Sequence, residues 1–353
     1  MPRGSSKATI IDIAKHANVS FKTVSRVLND YPSVGAELRE RVLRAMAELD
    51  YRPNSAARSL PGSRGYAISF IISTESMVQS EDADWYLSPF CADLQFGAFK
   101  ACQEAGYRFV LQTVDIESPT LANDIQRKFA QDGIDGVVLT PPTVDSAALL
   151  DALEKCGLPY VRIAPGTQLD RAAAIGINEY GGAYAMTEHL LSLGHRRIGF
   201  IAGPEHHIAA RERLTGYSEA LARVDGACAP MIAPGDFTFL AGMAGAQALL
   251  GRKQPPTAIF AANDDMAAGA LAAAHQLGFQ VPGQLSIAGF DDSTTARLAW
   301  PPLTTIRQPI AAMTGAAIRY LIAAAGAGTE SPPTDRTEIP FTLVSRSSAG
   351  PCP

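Results

Sequence analysis

The stretch A-T-I-I-D-I-A-K-H-A-N-V-S-F-K-T-V-S-R-V-L-N-D, from Ala8 to Asp30, decides how the chain begins to fold. Its apolar residues, Ile10, Ile13, Ala14 and Ala17, then Val19, Val24, Val27 and Leu28, recur at three- and four-residue spacings. That periodicity predicts two short helices, each with one buried stripe. Asn18 accepts a left-handed backbone between them, and Ser20 is suited to cap a second helix beginning at Phe21. The second helix then turns Phe21, Lys22 and Arg26 away from its apolar stripe. In a helix-turn-helix such residues meet base edges in the major groove.

The charge distribution agrees. The 353 residues carry a net charge of −5, yet residues 1 to 64 hold 11 Lys and Arg against 6 Asp and Glu, leaving 19 against 29 for the rest. A basic head on an acidic body fits a protein that meets phosphates at one end. A third helix is expected over Glu37 to Leu49, followed by Y-R-P-N-S-A-A-R-S-L from Tyr51 to Leu60.

Together with D-I-A-K-H-A-N-V-S-F-K-T-V-S-R-V-L-N, that run resembles the lactose-repressor (LacI/GalR) family of bacterial transcription regulators. The resemblance implies a hinge helix that forms on the operator, with Asn54 and Ala57 facing the minor groove and Leu60 wedged into it; such a wedge bends the duplex onto more protein surface. It also implies base reading by Phe21, Lys22 and Arg26, and phosphate contacts from Thr9, Thr23, Ser25 and Asn29. Two positions depart from the family pattern. Gly35 replaces a polar cap before the third helix, and Pro61 should stop the hinge helix directly after Leu60.

The remaining residues are enough for two core-forming lobes. Extended apolar runs at 67–72, 108–113, 136–140, 160–164, 198–202, 258–262 and 285–290 alternate with Ala-rich amphipathic stretches, the pattern of parallel sheets covered on both faces. Doubly wound sheets bind ligands beyond the carboxyl ends of their strands. The resemblance extends through this body in L-G-H-R-R-I-G-F-I-A-G-P (193–204), A-A-R-E-R-L-T-G-Y (209–217), A-N-D-D-M-A-A-G-A (262–270), G-F-D-D (289–292) and P-P-L-T-T-I-R-Q-P (301–309). It implies a small all-α helix-turn-helix head plus hinge helix, joined to a two-lobed α/β core like the periplasmic sugar-binding proteins. The organisation expected is a head at 1–50, a hinge and linker at 51–65, and an effector-binding and dimerisation core at 66–353. Within the core, the N-lobe comprises about 66–176 and 306–337, and the C-lobe about 177–304 and 338–347. The chain is expected to cross between them near Gly176–Asn178, Thr304–Arg307 and Thr337–Pro340.

Within the cleft, Arg211 matches the family's arginine, Asn263 and Asp291 match residues that hold sugar hydroxyls, and Phe237 after Asp236 matches an aromatic that stacks on the ligand. Asp, Asn and Arg suit vicinal hydroxyls, and an aromatic face suits the apolar side of a pyranose. Thr140 and Ser73 stand at strand ends, and Trp85 with Tyr86 either completes the pocket or packs on the lobe. Many sugar-responsive relatives carry an aspartate where this chain has Ala164. Nearby Arg162 stands inside an apolar strand and needs an anionic partner. A buried pair with a protein carboxylate is favoured over an effector carrying a carboxylate or phosphate. His206-His207 reads as a solvated loop rather than a metal site, there being no third ligand at supporting spacing.

The reading is therefore a DNA-binding regulator, most readily a cytoplasmic homodimeric repressor on a pseudo-palindromic operator, controlled by a mono- or oligosaccharide, with no cofactor and no membrane segment. The alternative is a sugar-handling enzyme with an appended head, but G-x-G-x-x-G, P-loop, G-x-S-x-G and H-E-x-x-H motifs are missing from the sequence. Asp264 and Asp265 read better as helix-capping residues than as a catalytic pair. Five scattered cysteines, Cys91, Cys102, Cys156, Cys228 and Cys352, suggest free thiols.

Overall fold

The computed structural model describes residues 8–28, 34–49, 51, 65–73, 89–224, 229–327 and 336–353. They form two units, residues 1–66 and 67–353. The head consists of α1 (Ile10–His16), α2 (Phe21–Leu28) and α3 (Ala36–Glu48). A capping box starts α1: the Asp12 amide donates to the Thr9 hydroxyl oxygen, and the Thr9 amide donates to the Asp12 carboxylate at 2.8 Å. Asn18 takes the left-handed turn at φ 50°, and Ser20 accepts the Thr23 amide at 3.0 Å. Arg41 of α3 closes over the turn, donating to the carbonyls of Ala17 and Asn18. Ile13, Ala14, Ala17, Val24, Val27, Val42 and Ala45 form the core. Gly35 precedes α3 without a side-chain cap.

The larger unit begins with β1 (Ala67–Ser73), α4 (Pro89–Glu104), β2 (Arg108–Val114), α5 (Leu121–Asp132), β3 (Gly136–Leu139), α6 (Ala147–Lys155), β4 (Tyr160–Ile163) and β5 (Ala173–Gly176). It continues with α7 (Glu179–Ser192), β6 (Ile198–Ile201), α8 (Ile208–Ala222), β7 (Met231–Ala233), α9 (Phe239–Leu250), β8 (Ala258–Ala261), α10 (Asp264–Gln276), β9 (Ser286–Asp291), α11 (Thr294–Leu298) and β10 (Thr304–Arg307). It ends with α12 (Ile310–Ala327), β11 (Arg336–Glu338) and β12 (Thr342–Val344). Two six-stranded sheets result, in the orders β11-β5-β4-β3-β1-β2 and β12-β10-β9-β8-β6-β7. Every described pairing is parallel except β10 with β12. β3, β4, β6, β8 and β9 are buried along their length, which explains why their residues are mostly apolar.

The chain crosses between sheets after β5, after β10 and after β11. Thr304–Arg307 pairs with β9 and β12, so β10 stays in the C-lobe and the second crossing comes at Gln308-Pro309 rather than inside the strand. α12 then packs on α4 of the N-lobe. Gly97 is required there, because a Cβ on it would lie 2.5 Å from the Thr314 hydroxyl. His195, from L-G-H-R-R, is fully buried, with its ring nitrogens 2.9 Å from the Thr257 hydroxyl and 3.0 Å from that of Ser286. The same ring meets the Gly350 carbonyl and so ties the C-terminal segment to the sheet. Asp292, also buried, pairs with Arg307 and Arg346 and fixes β10 beside the last strand.

Candidate functional site

Two surfaces carry the chemistry. On the head, the capping and turn bonds orient α2 so that Val24 and Val27 are buried while Phe21, 54% exposed, and the exposed Lys22 and Arg26 stand outside. Thr9 is exposed, and Thr23 and Ser25 are half-buried beside them. Thr9 and Ser20 spend their hydroxyls partly on helix starts, so contacts from them to a phosphate would accompany capping. Asn29, Asn54, Ala57, Leu60 and Pro61 lie outside the described residues, as do Trp85, Tyr86 and Cys228; Ser73 ends β1, and its side chain is not among those described.

The second surface lies where the carboxyl ends of both sheets converge. A cavity of about 490 Å³ runs between the lobes, lined by Glu117, Pro141, Asp145 and Ala164 from the N-lobe and by His206 and Ile208 from the C-lobe. That is the size range of small-molecule sites. Non-glycine residues with positive φ gather at these strand ends: Ala164 (50°), Phe237 (71°), Asp291 (115°) and Asp292 (56°). Such strain concentrates at functional sites.

On the C-lobe side, the centre is Arg213 of α8. Its Nε donates to Glu179 at 2.8 Å and its Nη1 to the Ala262 carbonyl at 2.6 Å, while Asp291 lies 3.7 Å away. The guanidinium carbon sits 3.7 Å from the centre of the Phe290 ring. Gln308 donates to Asp291 at 2.8 Å. Burial pushes the Asp291 carboxyl up, against the pull of Arg213. Asn263 caps α10 by accepting the Met266 amide and donates to the Phe237 carbonyl. Phe237 meets the His207 ring edge-on at 5.1 Å, and Gly203 has no Cβ because one would fall 2.6 Å from the Phe237 ring. Burial holds His207 neutral, its pKa down to about 4. Asp236 is exposed and caps the next turn through the Thr238 amide.

Arg211 and Arg162 do not face this cleft. Arg211 is exposed and lines a separate cavity of about 640 Å³ with Pro204, Glu205, Leu214 and Ile232. Two residues along a helix turn a side chain by about 200°. Arg213, not Arg211, therefore shares the buried face of Ala209, Ala210, Gly216, Tyr217 and Ala220. The three- and four-residue spacing of those positions was the signal that singles it out. Glu179, its carboxylate partner, and Gln308, which donates to Asp291, follow from no motif. Arg162 is fully buried and pairs with Asp145 at 2.7 Å. Thr140, just past β3, is 1% exposed, and its hydroxyl has no hydrogen-bond partner.

Asp264 and Asp265 do not converge: Asp264 accepts from Thr305 and the Ser293 amide, and Asp265 from Thr295. Among the described residues, no His, Cys, Asp or Glu group could hold a metal ion, and no helix is long and apolar enough to cross a membrane.

The comparisons divide the chain as the fold does. Residues 9–54 match the model for bacterial regulatory proteins of the lacI family, and residues 187–349 match the periplasmic binding protein-like domain. The HTH-type transcriptional regulator CelR of Thermobifida fusca is 35% identical over 90% of this chain and 91% of its own length. The ribose operon repressor of Haemophilus influenzae is 34% identical over 89% and 91%. Among solved structures, the CelR–cellobiose complex aligns with a TM-score of 0.68 at 32% identity, covering 97% of this chain and 99% of that one. The lac repressor dimer bound to operator and the anti-inducer ONPF aligns at 0.70 and 26% identity, covering 98% and 100%.

Proposed function

The chain belongs to the lacI family of bacterial regulatory proteins and is a DNA-binding transcriptional regulator, and from that premise we propose that it represses carbohydrate-utilisation genes as a cytoplasmic homodimer, released or retained on its operator by an uncharged saccharide held between the lobes. The head supplies base contacts from Phe21, Lys22 and Arg26, with Thr9, Thr23 and Ser25 on phosphates. The cleft supplies Asn263, Asp291 and Thr140 for hydroxyls and Phe237 for an apolar sugar face. Among solved relatives, one holds cellobiose and another ribose, which supports a saccharide.

The observation that carries the uncharged class is the internal pairing of the buried arginines behind the cleft walls. Arg213 is matched by Glu179 and Asp291, and Arg162 by Asp145. The lining carboxylate Glu117 would repel an anion. A ligand carboxylate or phosphate would thus lose its water without gaining a cation, an uncompensated cost. The test is thermal shift of the full chain with matched pairs: glucose against glucuronate and glucose 6-phosphate, cellobiose against cellobionate, ribose against ribose 5-phosphate. Stabilisation by a neutral member and not by its anionic partner is expected; stabilisation by anions alone would overturn the class.

A further inference from the structure

We infer that the buried pair Arg162–Asp145 is a positioning device for lobe closure: it stiffens the loop at 164–168, and through Gly166 that loop bears on Ile208 of the opposite lobe. The inference rests on the two-lobed effector reading above, although its test needs no effector.

Arg162 projects from β4 and spends its guanidinium on four acceptors. Nε donates to the Val144 carbonyl (2.9 Å), Nη1 to Gln168 (2.6 Å), and Nη2 to the Thr167 carbonyl (2.6 Å) and to Asp145 (2.7 Å). Asp145 in turn accepts the Gly166 amide (3.0 Å), the Thr167 amide (3.0 Å) and the Thr167 hydroxyl (3.1 Å). Two amides and two carbonyls of one loop are thereby fixed by a single ion pair. Arg171 extends the brace, donating to the Gln168 side chain and to Asp151 and Glu154 of α6. A loop tied at both its donors and its acceptors cannot yield as an ordinary surface turn does.

What the loop presses on is specific. A Cβ on Gly166 would lie 1.9 Å from Cγ1 and 2.3 Å from Cβ of Ile208. Rotating the Ile208 side chain clears Cγ1 but cannot move its Cβ. Carbon atoms pack best at about 3.5–4.0 Å, so a methyl at position 166 demands that the lobes part by more than about 1 Å. Gly166 is not held in a left-handed conformation, so alanine is acceptable to its backbone and space alone requires glycine. Ile208 is the first residue of α8, the helix that carries Arg213 into the floor of the cleft. The contact therefore couples the braced N-lobe loop to the helix that carries Arg213, at a point where the two lobes meet.

The experiment measures the distance distribution between spin labels, introduced as encoded amino acids at Lys155 of the N-lobe and Lys253 of the C-lobe, in the full chain diluted with unlabelled chain. Gly166→Ala should lengthen the mean separation by at least about 1 Å, and Gly166→Ala with Ile208→Gly should return it to the native value. Arg162→Met should broaden the distribution, and adding Gly166→Ala to it should lengthen it no further, because an unbraced loop can yield. A native-like distribution in Gly166→Ala, lengthening that persists in the Ile208→Gly double variant, or additive lengthening with Arg162→Met would each overturn the inference. Should Arg162→Met fail to fold, the Gly166 and Ile208 variants decide the matter alone. Failure of every saccharide to bind would sink the effector reading and leave these distances unaffected.

Discussion

The guanidinium carbon of Arg213 lies over Phe290, 3.7 Å from the ring centre, with Glu179 at 2.8 Å and Asp291 at 3.7 Å from its nitrogens. The ring meets the cation while Glu179 accepts from its Nε and the Ala262 carbonyl from its Nη1, so the arginine is held from three directions at once. Arg213→Met keeps most of the volume but leaves two buried carboxylates unpaired, and should cost about 3–5 kcal/mol in urea unfolding at pH 7. Arg211→Ala, two positions earlier and exposed, should change stability by less than about 0.5 kcal/mol. Equal losses in the two variants would show that the cage does not operate as described.

A second expectation concerns pH. Burial pushes Asp264 up to about 7, against the hydrogen bonds it accepts from Thr305 and Ser293. An unfolded aspartate titrates near 3.9. The native state therefore binds the proton more tightly, and the contribution of Asp264 to stability is full below about pH 4 and is lost as pH rises through about 7. Relative to Asp264→Asn, the native chain should lose up to about 1.4 kcal/mol per pH unit between pH 5 and 7. The neutral histidines His189, His195 and His207 act with the opposite sign but are common to both chains, so the difference reports Asp264 together with Asp291, whose carboxyl the Asp264 charge helps to raise. A difference that stays constant from pH 5 to 8 would refute the assignment.

Much of this was readable from the sequence, and the parts that were not have physical reasons. The turn at Asn18, the start of α2 at Phe21 and seven of the apolar strands follow from period and residue type. β5 (A-A-I-G) is no richer in strand formers than the Ala-rich helices around it, β7 (M-I-A) has only three residues, and β10, β11 and β12 owe their existence to partners remote in sequence. In the cleft, motif matching placed Arg211 where helical geometry places Arg213, because a motif fixes order and not facing. The anionic partner that Arg162 requires is Asp145, 17 residues earlier, a pairing that no local spacing announces.

On the head, the exposed Arg26 and the turn-bracing Arg41 should separate experimentally. With operators selected from random duplexes by the full chain, Arg26→Ala should lose about 1–3 kcal/mol of discrimination at one base position while the head keeps its stability. Arg41→Ala uncovers the Ala17 and Asn18 carbonyls, and should weaken binding to all sequences alike by loosening the turn. An Arg26→Ala variant that selects the native sequence with native preference would remove that residue from base reading.

The last expectation concerns the second copy that a two-fold operator requires. α4 and β2 expose Phe96 (67%), Phe99 (44%) and Leu111 (47%) on the N-lobe, and the segment after β9 exposes Leu298 (78%) and Trp300 (82%) on the C-lobe. Asp93, one turn before Phe96, feels the charge of Arg297, the residue before Leu298. Large exposed apolar side chains on both lobes are what a self-complementary interface demands and what an isolated soluble chain avoids. Trp300→Glu and Phe96→Glu each place a charge at the centre of the contact, where burial without a partner costs several kcal/mol, of the order of 3–5. Sedimentation equilibrium of the full chain should give a dimer for the native protein and a folded monomer for either variant, with operator affinity falling steeply as half of the contacts are lost. Native-like dimers in both variants would move the interface elsewhere on the core, and with it the path by which lobe closure reaches the DNA.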